Sequence, residues 1–209
     1  TNVTGHFAYF AEEIMKRDYA AAMTFFVFII FFLFGAFISN FLSELVSKKH
    51  PNLHHVIPIS IEITILIGVA IFGVQTELGS NEGKWVASSM LFAMGMQNAL
   101  VTKISKSTVR TTHLTGLFTD LGIELSQLFF YKKPEERKRL KKSIYLRLSI
   151  IAFFFIGCIS GGFIYNALQL KTLFVAATFL LIALLYDYIR LSFFVIKRKA
   201  IFKKAILNK

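Results

Sequence analysis

The sequence predicts an all-α integral membrane protein of about six transmembrane helices, built as two inverted three-helix repeats that contain re-entrant or broken helices. Three observations predict this fold: long apolar runs, basic residues clustered between those runs, and a short Thr-Gly motif that occurs twice. Of the 209 residues, 55% are hydrophobic and 17% are charged, and the mean hydropathy is +0.60. A soluble domain of this size needs more polar surface than this composition supplies.

Five runs with few or no charges are long enough to cross a bilayer, because about 20 apolar residues span the hydrocarbon core as a helix. These runs occupy residues 19–43, 56–76, 85–102, 149–170 and 172–196. The single cysteine, Cys158, lies inside the fourth run. A lone cysteine excludes an internal disulfide, and we interpret it as a packing residue.

The net charge of +12 is concentrated in the segments that connect the apolar runs. Eighteen of the 24 Lys and Arg residues lie in segments 48–49, 103–110, 132–142 and 197–209. Such placement is typical of cytoplasmic flanks of membrane helices, and it argues against nucleic acid as a partner. It predicts a cytoplasmic C-terminus, and contact between these segments and anionic lipid headgroups.

Residues 111–131 do not fit a simple count of spans, because both ends of this apolar segment adjoin cytoplasmic basic residues. A re-entrant or broken helix meets that constraint if its freed backbone groups are buried or line a cavity. An amphipathic helix on the membrane surface also meets it. The sequence leaves both alternatives open.

The Thr-Gly motif indicates an internal duplication. Residues 1–14 and 112–125 share five identities in 14 aligned positions, among them Glu13 with Glu124. The apolar run after each copy also matches, as FGAFIS around Gly35 and IGCISG around Gly157. A repeat of this kind is a sign of duplicated architecture.

The second copy of the motif follows an apolar run and the first copy does not, so we expect a helix to precede the first copy. Each repeat then has three spans, and an odd number inserts the two repeats in opposite senses, as in many transporters. On this interpretation residues 1–76 form the first repeat without its first helix, residues 85–196 form the second repeat, and residues 197–209 form a basic tail.

Each motif reads as the start of a helix, with Thr4 or Thr115 able to cap it. A helix start inside a protein offers unpaired N–H groups and a partial positive charge that suit an anion or a polar group. We therefore predict a substrate-binding site where the two motifs converge, formed by Thr1, Asn2, Thr4, Gly5, Arg110, Thr112, His113, Thr115 and Gly116. The alternative is that the small residues only permit tight helix crossing.

Ionisable groups inside apolar runs are costly and often functional. Glu62, Asp120 and Glu124 are candidates for proton or ion coupling. Gln97 and Asn98 are candidates for a polar path, although hydrogen bonding between helices is the simpler interpretation. No metal-ligand set, cofactor motif or nucleophile–base pair is present in the sequence, so we expect no metal, no cofactor and no enzymatic activity.

The segments AMGMQNALV, VRTTHLTGLFTDLG and IGCISGGFIY, with a basic linker before the last, resemble the YoaK family (domain of unknown function 1275). The first motif copy, TNVTGHF, is similar to the N-terminal motif of that family. The resemblance implies a multi-pass protein of the bacterial inner membrane, with a further helix before the first motif. It implies no particular activity.

Two functions are compatible with the sequence. The first is a transporter or channel for a small anionic or polar solute bound between the two repeats. The second is a structural or lipid-interacting membrane protein, or a partner subunit, without transport activity. A homo-oligomer is compatible with either function.

Overall fold

The fold is entirely helical in the residues that are described. A computed structural model describes residues 3–49, 53–73, 80–104 and 114–207, with side chains described as far as residue 190. These residues form seven α-helices and one short 3-10 helix, η1: α1 (Val3–Met15), α2 (Tyr19–Ser47), α3 (Val56–Phe72), α4 (Asn81–Ile104), α5 (Leu114–Phe130), α6 (Pro134–Leu168), η1 (Gln169–Thr172) and α7 (Leu173–Leu207). The described residues of the five predicted spans lie almost entirely within α2, α3, α4, α6 and α7; α3 ends at Phe72, and η1 occupies the junction between the fourth and fifth spans.

Local sequence explains where several helices begin. Asp18 is the N-cap of α2, and its carboxylate accepts a hydrogen bond from the backbone N–H of Ala21 at 2.9 Å. Pro134 opens α6, where its missing N–H costs nothing, and Glu135 and Glu136 lie in the first turn. Acidic side chains are favourable there because they face the positive end of the helix dipole.

Two stretches of the described chain are long and apolar enough to cross a membrane, namely α2 and the helical stretch from Pro134 to Arg190. Helix α3 is a shorter apolar helix. The most apolar window of the Pro134–Arg190 stretch is not buried by the rest of the protein. Such a large exposed apolar surface favours a lipid environment over water.

The core of the bundle is the contact between α2 and α4. Phe31, near the middle of α2, contacts Trp85, near the start of α4, with ring centroids 6.2 Å apart. Glu44 and Lys103 form an ion pair near the C-terminal ends, at 2.8 Å. The two helices therefore run parallel.

The α2–α4 contact is close enough to bring backbone against backbone. A Cβ atom at Gly35 would collide with the carbonyl oxygen of Phe92, and one at Gly95 would collide with the carbonyl oxygen of Phe32. Glycine at both positions is what permits this crossing, because a residue without a side chain lets two helix backbones approach closely.

Of the remaining described helices, α1 and α3 pack on this pair. Helix α1 packs on α2, α3 packs on α4 and α7, and α5 packs on α6. His55, at the start of α3, contacts Asp187 of α7 through Nε2 at 2.7 Å. Among the described residues α6 does not contact α7 directly, and the two meet only through η1.

Candidate functional site

A buried carboxyl group lies in the middle of the bundle. Glu62 is 4% exposed. It belongs to the inward face of α3 together with Pro58 and Leu66, which follow a spacing of four residues. Within the described part of the chain its carboxyl group has no hydrogen bond and no ion pair. Buried polar groups normally have hydrogen-bond partners, and ionisable groups in apolar helices are costly, so Glu62 is a candidate functional residue.

Glu62 lies level with the glycine crossing. The Ser43 hydroxyl of α2 donates to the carbonyl oxygen of His54 at 3.0 Å, and this contact fixes the register of antiparallel helices α2 and α3. Gly35 lies eight residues before Ser43, and Glu62 lies eight residues after His54. At a rise of about 1.5 Å per residue both are roughly 12 Å from that contact. Gly95 crosses α2 at the same height.

Other polar groups lie near this level. Ser39, one turn beyond Gly35, is fully buried, and its Oγ has no hydrogen-bond partner in the described part of the chain. Gln97 and Asn98 are half-buried on α4, two and three residues beyond Gly95. The Asn98 carbonyl accepts a hydrogen bond from the Thr102 hydroxyl at 2.7 Å. Gln97 and Asn98, which were predicted to line a polar path, therefore lie next to the crossing.

A groove of about 570 Å³ lies between the C-terminal half of α3 and the N-terminal half of α4. Its lining is mainly apolar and includes Ile65, Val69 and Trp85. Ile65 lies three residues after Glu62, so the groove ends within one helical turn of the buried carboxyl group. Glu62 itself is not among the residues that line the groove.

The two other acids predicted to couple protons or ions lie together on α5, facing α6. Arg147 donates from Nη1 to Asp120 at 2.8 Å and from Nε to Glu124 at 3.0 Å. The Ser143 hydroxyl donates to the second Glu124 oxygen at 2.7 Å. The sequence pattern alone did not predict a partner for either acid. Arg147 could have been predicted as their partner, because it is a solitary cation at the edge of an apolar run and the two acids are one turn apart.

The two motif helices have the same pattern of burial. Gly5 and Gly116 are half-buried against a neighbouring helix, whereas the aligned Thr4 and Thr115 are exposed. Both threonines lie inside the first turn of α1 or α5. The prediction that they cap these helices is therefore wrong, since a capping residue precedes the helical backbone.

Helices α1 and α5 do not contact each other in the described parts of the chain, because α1 packs on α2 and α5 packs on α6. The predicted convergence of the two motifs is therefore not seen among the described residues of these helices. The remaining predicted binding residues lie outside the described residues: Thr1, Asn2, Arg110, Thr112 and His113.

Each motif helix starts beside the apolar part of its partner. His6 lies 5.7 Å from Phe28 between ring centroids, and Tyr9 stacks on Phe25 at 5.3 Å, which shows that α1 and α2 are antiparallel. This register places the start of α1 near Ile29, in the middle of the uncharged run of α2. The Asp120–Arg147 contact likewise places the start of α5 inside the apolar run of α6.

Comparison with known proteins identifies one family. The family described as a protein of unknown function, DUF1275, has a model that matches residues 1–186. No curated protein matches the chain. No solved structure matches it either.

Proposed function

The chain belongs to the DUF1275 family, and we propose that it is a membrane transporter for a small anionic or polar solute, with Glu62 as the group that binds and releases a proton or cation during transport. The observation that carries this proposal is the position of Glu62. It is buried and has no partner among the described residues, level with the glycine crossing of α2 and α4. An ionised carboxylate in such a place is costly unless a positive charge accompanies it.

The surroundings of Glu62 support a route for a solute. The groove between α3 and α4 approaches Glu62 from one end of the bundle. Gln97 and Asn98 lie towards the other end of α4, where Lys103 pairs with Glu44. A polar solute that passes along α4 would meet these side chains in sequence, with Glu62 between them.

The motif helices support the same proposal through their position. Both begin beside the apolar run of a neighbouring helix, where the positive end of the helix dipole would attract an anion or a polar group. On this proposal the protein lies in the bacterial inner membrane with a cytoplasmic C-terminus. Anionic headgroups then contact the basic segments that include residues 132–142.

The experiment is solute-driven proton movement in proteoliposomes that contain the purified full-length protein and a pH-sensitive dye. Gradients of chloride, phosphate, acetate and small neutral polar solutes are imposed one at a time. We expect at least one gradient to drive proton movement, and Glu62→Gln to abolish it. Glu62→Asp keeps the charge and retains part of the rate, and Glu44→Gln, an exposed control, retains all of it. Equal rates for wild type and Glu62→Gln would contradict the proposal.

The second candidate function is a structural or lipid-interacting protein. One observation favours it: the described parts of α1 and α5 lie apart, each packed on its own neighbour. If the motifs are packing devices, Thr115→Val lowers thermal stability and leaves every solute flux at the level of empty liposomes. If the transporter proposal holds, the same substitution changes a flux that wild type shows.

A further inference from the structure

The internal duplication relates the helices of the first half to those of the second half, so the contacts among the described helices can be compared pair by pair. In the duplication α1, α2 and α3 correspond to α5, α6 and α7. Helix α1 packs on α2 as α5 packs on α6, while α3 and α7 pack on each other. The turn before α3 contacts α7 through His55 and Asp187, and the turn before α7 contacts α3 through Leu170 and Gly73.

Pairs of contacting residues also correspond between the two halves. With Gly35 aligned to Gly157, Phe25 aligns with Arg147. Tyr9, which stacks on Phe25, aligns with Asp120, which pairs with Arg147. The same two positions therefore hold each hairpin together, by an aromatic pair in the first half and by an ion pair in the second.

Among the described helices three contacts have no direct counterpart: α2 with α3, α2 with α4, and α3 with α4. Two of these three belong to α4. Helix α4 packs on α2 and on α3, whereas no described helix packs in the same way on α6 and α7. Both missing contacts of the α4 kind would involve neighbouring elements, α6 and α7. A single additional helix packed on α6 and α7 would therefore provide both contacts. The space for it is open, since α6 and α7 meet only through η1 in the described residues.

The surface that such a helix would cover is the glycine face of α6, which we define as Phe154, Gly157 and Gly161. Gly157 aligns with Gly35, yet a Cβ atom at Gly157 or at Gly161 would have no other heavy atom within 4 Å. Gly161 aligns with Ser39 of α2, which is completely buried. Positions that are buried in α2 therefore align with small residues in α6 that have no other helix packed against them.

We propose that the glycine face of α6 is the docking surface for one apolar membrane helix of the α4 kind. This helix runs parallel to α6, has a glycine at the crossing point, and presents the carbonyl oxygen of the residue three positions earlier to Gly157, as Phe92 does to Gly35. Its other side packs on α7. The proposal uses the duplication and is independent of transport.

The test uses the full-length protein in native membranes, with the photoreactive residue benzoylphenylalanine at position 154 or, as a control, at position 155. Phe154 aligns with Phe32, at the α2–α4 crossing, whereas Phe155 aligns with Leu33, which is 62% exposed on α2. After illumination, cross-linked peptides are mapped by digestion and mass spectrometry. We expect position 154 to capture an uncharged apolar segment that contains glycine, with a yield several times that at position 155.

A glycine substitution provides the matched control for the surface itself. Gly157→Leu should abolish the cross-link from position 154, because the side chain would keep the partner helix away. Gly162→Leu should preserve it, because Gly162 aligns with the exposed Asn40 and also has open space around it. Adducts only to lipid, capture of α6 from a second copy, capture of a charged segment, or equal effects of the two substitutions would each overturn the proposal.

Discussion

Arg147 of α6 donates to the Asp120 carboxylate of α5 at 2.8 Å, where the first half of the chain has two stacked aromatic rings. The Arg147 side chain is 19% exposed and that of Asp120 is 51% exposed, so the pair lies between a surface ion pair and a buried one. Glu124 completes the cluster from a less exposed position. These contacts are the polar link between α5 and α6.

Removing Arg147 should therefore loosen α5. We expect Arg147→Gln to lower the free energy of unfolding by roughly 1–2 kcal/mol, more than for exposed pairs and less than for fully buried ones. The measurement is thermal unfolding in detergent, with Arg137→Gln as a control on the exposed part of α6. A melting temperature equal to that of wild type would show that the cluster does not hold the hairpin together.

The glycine crossing predicts a contrast between two substitutions of the same kind. Gly35→Ala places a methyl group against the Phe92 carbonyl, so α2 and α4 must separate. Overpacking of this sort costs about 1–3 kcal/mol. Gly68→Ala, on α3, meets no other heavy atom within 4 Å and should be neutral or slightly stabilising. Thermal unfolding of both variants checks the prediction, and equal stability would contradict the close approach.

Acid should weaken the contact between the ends of α2 and α4. The hydrogen bond from Lys103, followed by the charge of Lys103, lowers the pKa of Glu44 below its usual value of 4.5. Because the folded-state pKa is the lower one, the stabilisation is present above pH 4.5 and is lost as the pH falls through the folded-state pKa.

The corresponding measurement compares the melting temperatures of wild type and Glu44→Gln between pH 3 and pH 7. We expect a small difference at pH 7 that disappears in acid and shrinks in high salt, because the carboxylate is exposed. Glu82→Gln is a control acid on α4. A difference that grows in acid would have the wrong sign.

Ser43 predicts a loss of stability from the removal of one oxygen atom. Ser43→Ala leaves the His54 carbonyl without this donor at a buried position, at a cost of about 1 kcal/mol. Ser60→Ala removes an exposed hydroxyl that bonds only to Val56, one turn earlier in its own helix, and should change stability very little. Equal losses would show that the α2–α3 register does not depend on Ser43.

The positions of the helices could be predicted from the sequence, because apolar runs and their charged ends are local signals. Glu62 was also identifiable, since a single acid in an apolar run is visible without a structure. The glycine crossing and the partners of Arg147 were not predicted, because they depend on the register between helices that are distant in sequence. The convergence of the motifs was inferred from the repeat without knowledge of any contact between helices, whereas the described parts of the motif helices pack separately on α2 and on α6.

Helix α6 is a single uninterrupted helix of 35 residues, from Pro134 to Leu168. At about 1.5 Å per residue it is roughly 52 Å long, well beyond the 30 Å or so of a hydrocarbon core. Its basic first turns, Arg147 and Gly157 therefore lie on one continuous helix. A force applied to the charged end, for example by attraction to an anionic surface, is transmitted along the helix axis to the α5 contact and to the glycine face without an intervening hinge.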